Sequence, residues 1–244
     1  MRHPDGAMLV STLVTAPRAA AGRALRRAAW DWAGLPSGPL GWVSSRTVLA
    51  SAPVVYQKVG DACQLRADDE LLDVGCGSGG FLAQQAEHVE RVAGIDLSEI
   101  QVDLARRRLG ERIAAGTAEI VRGDAGALPW PDGSFTVVTC MQVFEMFPDP
   151  QRVLAEVLRV LRPGGRAVLN IGERVDPGTQ THRMLGEFWV WAEDDVRRVV
   201  EQAGFTDVTT QYVAWAGDNP VEKLFGRLVG PIGGDLRLVS GLKA

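Results

Sequence analysis

Leu71–Phe81 reads LLDVGCGSGGF, a short apolar run that breaks into glycines. Gly75, Gly77 and Gly80 match G-x-G-x-x-G, the pattern by which a strand feeds a tight turn and then a helix N-terminus. Glycines let that backbone turn sharply and approach a ligand closely. Dinucleotides and other adenosine cofactors both use this device, so the residues around the turn have to separate them. Asp73 stands just before the glycines. A carboxylate there repels a pyrophosphate and suits a ligand that carries an ammonium and a sulfonium.

Two more acids follow at intervals expected of successive strand ends. RVAGIDLS closes the next apolar run with Asp96, where a carboxylate can accept both hydroxyls of a ribose. That feature fits either cofactor. VRGDAGALPWPDGSFTVVTC places Asp124 after a third run, positioned to accept from an adenine amino group, with the Ala125 N–H beside it.

Outward from the turn, apolar strands alternate with amphipathic helices from Glu70 onward, the signature of a parallel sheet covered on both faces. The pattern predicts strands over Leu71–Val74, Val92–Ile95, Glu119–Arg122, Phe135–Cys140 and Ala167–Ile171, with helices over Gly79–His88, Glu99–Ala115 and Gln151–Leu161. Pro163-Gly164-Gly165 reads as a sharp stop to the last of these. A helix over Glu193–Ala203 and strands over Asp207–Val213 and Leu236–Gly241 complete the chain, and a helix over Ala52–Cys63, with Val55, Val59 and Cys63 on one face, precedes it. Three organisational parts follow: a poorly ordered stretch over 1–17, a helical cap over 18–66, and an α/β domain over 67–244.

Composition narrows the function classes. The chain has 244 residues and a formal net charge of -4, which argues against general nucleic-acid binding. No apolar run approaches the roughly 18 residues of a membrane span. Cys63, Cys76 and Cys140 form no C-x-x-C pair, and with His3, His88 and His182 they build no zinc spacing, so no metal site is expected. A reducing cytoplasm is the natural setting. Residues 7–16 imitate a signal peptide, but Asp5, Ser11, Thr12 and Thr15 interrupt the imitation, and a fraying N-terminus is the preferred reading. Arg23, Arg26, Arg27 and Trp30 give the 18–32 segment a basic, aromatic-edged face. It reads either as a weak membrane-surface contact or as a solvated helix face.

LLDVGCGSGGF, VAGIDLS, RGDAGALPWPDGSFTVV and LRVLRPGGRAVL, in this order and spacing, resemble the successive motifs of class I S-adenosylmethionine-dependent methyltransferases of the small-molecule type. The resemblance runs from Glu70 to Ile171. It implies a Rossmann-like, doubly wound sheet of about seven strands, mostly parallel with an antiparallel last strand, and N-terminal helices. It implies S-adenosylmethionine as cofactor and a small-molecule acceptor as partner. By the resemblance, Asp73, Gly75, Cys76 and Gly77 hold the amino-acid end of the cofactor, the main chain of Cys76 doing the work. Asp96 holds the ribose, Leu97 lies on the adenine, and Asp124 and Ala125 take its edge. Cys140, Met141 and Gln142 neighbour the methyl group, with Met141 equally readable as core. Tyr56, in the helix before the first strand, is a further candidate for the cofactor's carboxylate or the acceptor.

The reaction itself needs few catalytic groups. The methyl is already activated by the charged sulfur, and a base is needed only if the acceptor arrives protonated. Where small-molecule members often carry an acid and a histidine after the fourth strand, this chain has Phe144-Glu145-Met146-Phe147, which leaves Glu145 and removes the histidine. His182 is the other base candidate, in a stretch over 172–192 where the acceptor pocket is expected; an exposed loop histidine is the plainer reading. Phe188, Trp189 and Trp191 are candidates for an apolar acceptor wall, with a core role for at least one of them. A lipid or quinone acceptor at the membrane surface, a nucleotide-dependent oxidoreductase and a non-catalytic binder of the same cofactor are the competing functions.

Overall fold

The computed structural model describes residues 52–171, 182–184, 188–214 and 235–244. The predicted 1–17 part and residues 18–51 of the predicted 18–66 cap, including the basic face of 18–32, lie outside these residues.

Seven strands form one sheet. They are β1 (Glu70–Val74), β2 (Arg91–Asp96), β3 (Ala118–Arg122), β4 (Phe135–Met141), β5 (Leu161–Ile171), β8 (Phe205–Ala214) and β9 (Asp235–Lys243). Their order is β3-β2-β1-β4-β5-β9-β8. β1, β2, β3, β4 and β5 pair in parallel, and β9 runs antiparallel between β5 and β8. The last strand in the chain is therefore the antiparallel one, as expected, but it lies inside the sheet, and β8 takes the edge. The strand order reverses between β1 and β4, which opens a crevice at the carboxyl ends of the strands.

Both faces are covered. Helices α1 (Ala52–Cys63), α2 (Gly80–Gln85) and α3 (Glu99–Arg108) pack on one face, burying Val55, Val59, Leu82 and Val102 against Leu71, Val92 and Val137. On the other face α5 (Pro150–Val160) and α6 (Glu193–Gln202) bury Leu154, Val157, Val196 and Val200 against Leu72, Val138 and Leu169. Strand residues alternate between the two clusters because successive side chains point to opposite faces.

Three elements depart from the sequence expectation. The helix expected over 99–115 breaks at Leu109, and a short α4 (Gly110–Ala114) follows. Gly79, with φ 73, precedes α2, and this helix turns into a 3-10 turn at Ala86–His88. Pro163-Gly164-Gly165 does not leave the sheet. Leu161 pairs with Phe135 and Arg166 with Val137, so the intervening residues bulge from β5, with Gly164 at φ 74.

The lower rim of the sheet is fastened by Asp69. Its carboxylate accepts from Thr136 Oγ1 (2.6 Å), the Arg66 N–H (2.8 Å) and Arg166 Nη2 (2.7 Å). Arg166 also donates to the carbonyls of Cys63 and Gln64, tying the end of α1 to β5. Burial raises the Asp69 pKa, but the hydrogen bonds and the Arg166 charge outweigh it and hold it below the ordinary value.

Candidate functional site

The site forms where β1, β2 and β3 end. The turn after β1 closes on the protein itself. Gly75 and Cys76 both donate their N–H to the Ile95 carbonyl (2.8 and 3.0 Å), Gly77 N–H donates to Asp96 Oδ2 (2.9 Å), and Gly79 N–H donates to the Cys76 carbonyl (3.0 Å). Gly75 sits at φ 75, and a Cβ there would fall 2.5 Å from Val143 Cγ1, so the position requires glycine on two counts. A pyrophosphate needs such N–H groups free and aimed at it. Here they are taken, and a carboxylate stands among them.

Asp96 is doubly held, since its other oxygen accepts the Ser98 N–H (2.8 Å). Burial pushes its pKa up, against the pull of these backbone hydrogen bonds. Asp124 Oδ1 accepts the Gly126 N–H (2.9 Å), which shapes the turn after β3, and the Gly123 N–H donates to the Asp96 carbonyl (3.1 Å), joining the two strand ends. Arg159 braces the next segment from α5 by donating to the carbonyls of Leu128 and Trp130 (2.9 and 2.8 Å). Between these ends lies a cavity of ≈ 360 Å³, lined by Gly75, Asp96, Leu97, Asp124 and Ala125 together with Ile95, Gly123, Val143 and Met146–Pro148. Leu97 is 54% exposed, a large apolar side chain held out beside two carboxylates. The cavity has apolar walls and acids at its rim, a shape for a flat apolar ring attached to a polyol.

The structure thus brings five of the sequence-predicted cofactor residues to one cavity: Gly75, Asp96, Leu97, Asp124 and Ala125. The others lie around it. Asp73 does not line the cavity; it is buried beneath the turn, where Thr139 Oγ1 donates to it (2.8 Å). Burial, and then the Asp96 charge, push its pKa up to about 7 despite that hydrogen bond. Tyr56 lies against Phe81 at 5.9 Å between ring centres, and a Cβ on Gly80 would meet its hydroxyl at 3.1 Å. Burial and Asp73 raise its pKa to about 12, so it stays a hydrogen-bond donor. The Cys76 thiol is buried and points at Gly94, whose added Cβ would lie 2.8 Å from it.

Cys140 is also buried, its side chain packed in the core with Phe144 and Leu169. Met141 is half-buried on the opposite face, and Gln142 is exposed at φ 53, a left-handed conformation uncommon outside glycine, with its N–H donating to the Asn170 carbonyl (3.1 Å). Glu145 is half-buried in a 3-10 turn, Phe144–Met146.

His182 is not in a loop. It opens β6 (His182–Met184), which pairs antiparallel with β7 (Phe188–Val190), His182 opposite Val190, Trp189 opposite Arg183 and Phe188 opposite Met184. The remainder of 172–192, apart from Trp191 and Ala192, lies outside the described residues. Trp191 is core: it is 5% exposed and tilted against Phe144 at 5.6 Å, and its carbonyl accepts from Arg237 Nη2 (2.8 Å). Sequence reasoning missed Ile95, Gly123, Val143, Met146, Phe147 and Pro148 as cavity walls. MFP after Glu145 was an available signal, an apolar run at the end of a strand and outside any regular helix.

Residues 72–169 match the family profile described as a methyltransferase domain. The chain is 39% identical over 144 residues to nocamycin O-methyltransferase of Saccharothrix syringae, covering 58% of this chain and 50% of that protein. It is 44% identical over 100 residues to the ubiquinone biosynthesis O-methyltransferase of Thiobacillus denitrificans, covering 41% and 42%. Over residues 72–169 the chain is thus similar to methyltransferase domains. Among solved structures, the chain shares its fold with the [4+2]-cyclase SpnF, at a TM-score of 0.63 and 21% identity over 82% of this chain and 81% of that one. The chain spans about half or less of the length of the curated relatives it matches. The donor set would suit S-adenosylmethionine: Asp96 and Asp124 line the cavity, Asp73 is buried beneath the turn, and the N–H groups of Gly75, Cys76, Gly77 and Gly79 are already bonded within the protein. Among the described residues no helix is long and apolar enough to cross a membrane, and no cluster of His, Cys, Asp and Glu is suited to a metal.

Proposed function

We propose that the protein transfers a methyl group from S-adenosylmethionine to a small acceptor, apolar or aromatic in its body. The glycine turn carries this reading, because its N–H groups are taken up by Ile95, Cys76 and Asp96 while acids surround the adjoining cavity. In this reading Asp96 accepts the ribose hydroxyls, Leu97 and Met146 sandwich the adenine, and Asp124 and the Ala125 N–H take its edge. The main chain of Gly75, Cys76 and Gly77 and the buried Asp73 face the homocysteine end, with the Tyr56 hydroxyl donating to its carboxylate. The cofactor supplies a methyl activated by the charge on sulfur. The protein's part is to align the acceptor beyond Met141 and Gln142 and to exclude water. Glu145 and His182 are the two groups available as base for an acceptor that arrives protonated.

Calorimetry with S-adenosylhomocysteine tests the reading: saturable 1:1 binding to the folded chain is expected, and no binding overturns it. Transfer of labelled methyl to an acceptor panel separates an enzyme from a binder on the same fold, a distinction that matters because SpnF, which shares the fold, is a cyclase.

A second reading moves the acceptor to a quinone or lipid at the membrane surface. The relative named for ubiquinone biosynthesis favours it, and the basic 18–32 segment supplies a surface contact. Flotation with anionic vesicles is its test; a chain left entirely in the soluble fraction removes it. We place the protein in the cytoplasm, supported by three free, buried cysteines.

A further inference from the structure

Asn170 is 0% exposed, and neither its Nδ2 nor its Oδ1 has a hydrogen-bond partner among the described residues. Buried polar atoms are nearly always partnered, and each exception needs a reason. The main chain supplies none, since the Asn170 carbonyl accepts the Gln142 N–H at 3.1 Å. The side chain has an apolar neighbourhood. Asn170 stands opposite Met141 on β4 and Leu238 on β9, and shares its face with Val168 two residues earlier. A leucine would satisfy that setting better, because an unpartnered amide there carries the whole penalty of lost hydration.

The position suggests what the amide is for. Asn170 lies one residue from the carboxyl end of β5, beside the Met141–Gln142 corner, with Thr139 on the adjacent strand and Asp73 one strand further on the same face. Ligands of open α/β sheets bind at these strand ends. The cofactor cavity lies at the ends of β1, β2 and β3 and under the segment that follows β4, and Asn170 is not among its lining residues.

We infer that Asn170 is a binding residue for the methyl acceptor, its side-chain amide pairing with a hydrogen-bond donor and acceptor held side by side on that molecule. This rests on the methyltransferase reading. A carboxamide, a lactam or a hydroxyl beside a carbonyl presents such a pair, and the amide answers it with one N–H and one C=O. An acceptor lacking the pair leaves the amide unpaired and is discriminated against. Asn170 thus makes acceptor binding selective for polarity at one point in otherwise apolar surroundings.

The test uses the full chain and Asn170→Leu. Without any ligand, the variant is expected to melt about 2–6 °C higher, because it replaces an unpartnered amide by a side chain that suits Val168, Leu238 and Met141. Its affinity for S-adenosylhomocysteine is expected to stay within about twofold of wild type. Benzamide, used as the probe and added without cofactor, should raise the melting temperature of the wild type and leave that of Asn170→Leu unmoved. A lower melting temperature or failure to fold overturns the inference, since the amide would then be structural. So does a tenfold weaker S-adenosylhomocysteine, which would assign Asn170 to the cofactor, or a benzamide shift that is absent in the wild type or equal in both proteins. If wild type fails to bind S-adenosylhomocysteine, the methyltransferase reading falls, and the two ligand-independent and benzamide measurements still judge Asn170.

Discussion

Asp73 makes the free protein pH-sensitive in two opposite ways. Its pKa stands at about 7 in the folded chain, through burial and the Asp96 charge, against ~3.9 for an unfolded aspartate. A folded pKa above the unfolded one gives stability that is full below the unfolded value and is lost as pH rises through the folded one. From pH 6 to pH 8 the loss is about 1.4 kcal/mol, because the folded carboxyl goes from about one-eleventh to ten-elevenths ionised. Cofactor affinity runs the other way. An ammonium beside Asp73 requires the ionised form, so S-adenosylhomocysteine should bind about tenfold more tightly at pH 8 than at pH 6, with net proton release near neutrality. Titration calorimetry at pH 6, 7 and 8, in buffers of different ionisation heat, measures both affinity and released protons. Asp73→Asn keeps an oxygen for the Thr139 hydroxyl and removes the titration. Affinity flat within about twofold across this range, or a slope that survives in Asp73→Asn, refutes the placement of the ammonium by Asp73.

Asp96→Ala removes the acceptor of the Gly77 and Ser98 N–H groups as well as the proposed ribose contact; S-adenosylhomocysteine affinity should fall by at least about tenfold in calorimetry. Gly75→Ala forces an L-residue to φ 75 with its Cβ 2.5 Å from Val143, so chemical denaturation should show a loss of about 1–3 kcal/mol together with weakened cofactor binding. Arg166→Met leaves the Asp69 carboxylate buried without its cation and should cost about 3–5 kcal/mol in urea unfolding, with the deficit shrinking as acid protonates Asp69. Trp191→Ala should destabilise by about 3–5 kcal/mol, as expected of a core aromatic packed on Phe144; an unchanged melting temperature would return Trp191 to the acceptor wall.

Strand identity was most legible where a short apolar run ends in an acid or glycine, as in LLDVG and VAGID. Boundaries were less so. Leu109-Gly110 interrupts a helix whose charge pattern runs straight through it, and Pro163-Gly164-Gly165 reads as a stop although its flanks remain paired in β5. Cys140 and Trp191 show the limit for side chains. Both stand at positions adjacent to the site in sequence, yet strand alternation turns Cys140 into the core, and packing on Phe144 does the same for Trp191.

The sequence by itself determined the order of strands and helices, the three acids Asp73, Asp96 and Asp124, and the resemblance to a methyltransferase, because these depend on local patterning along the chain. Only the tertiary structure decided what the glycine turn offers. Whether its N–H groups are free or bound depends on Ile95 and Asp96, which lie some twenty residues away and reach the turn only when β1 and β2 pair. The same holds for Asn170: an asparagine in an apolar strand is ordinary in sequence, and its lack of a partner exists only once β4, β5 and β9 have closed around it.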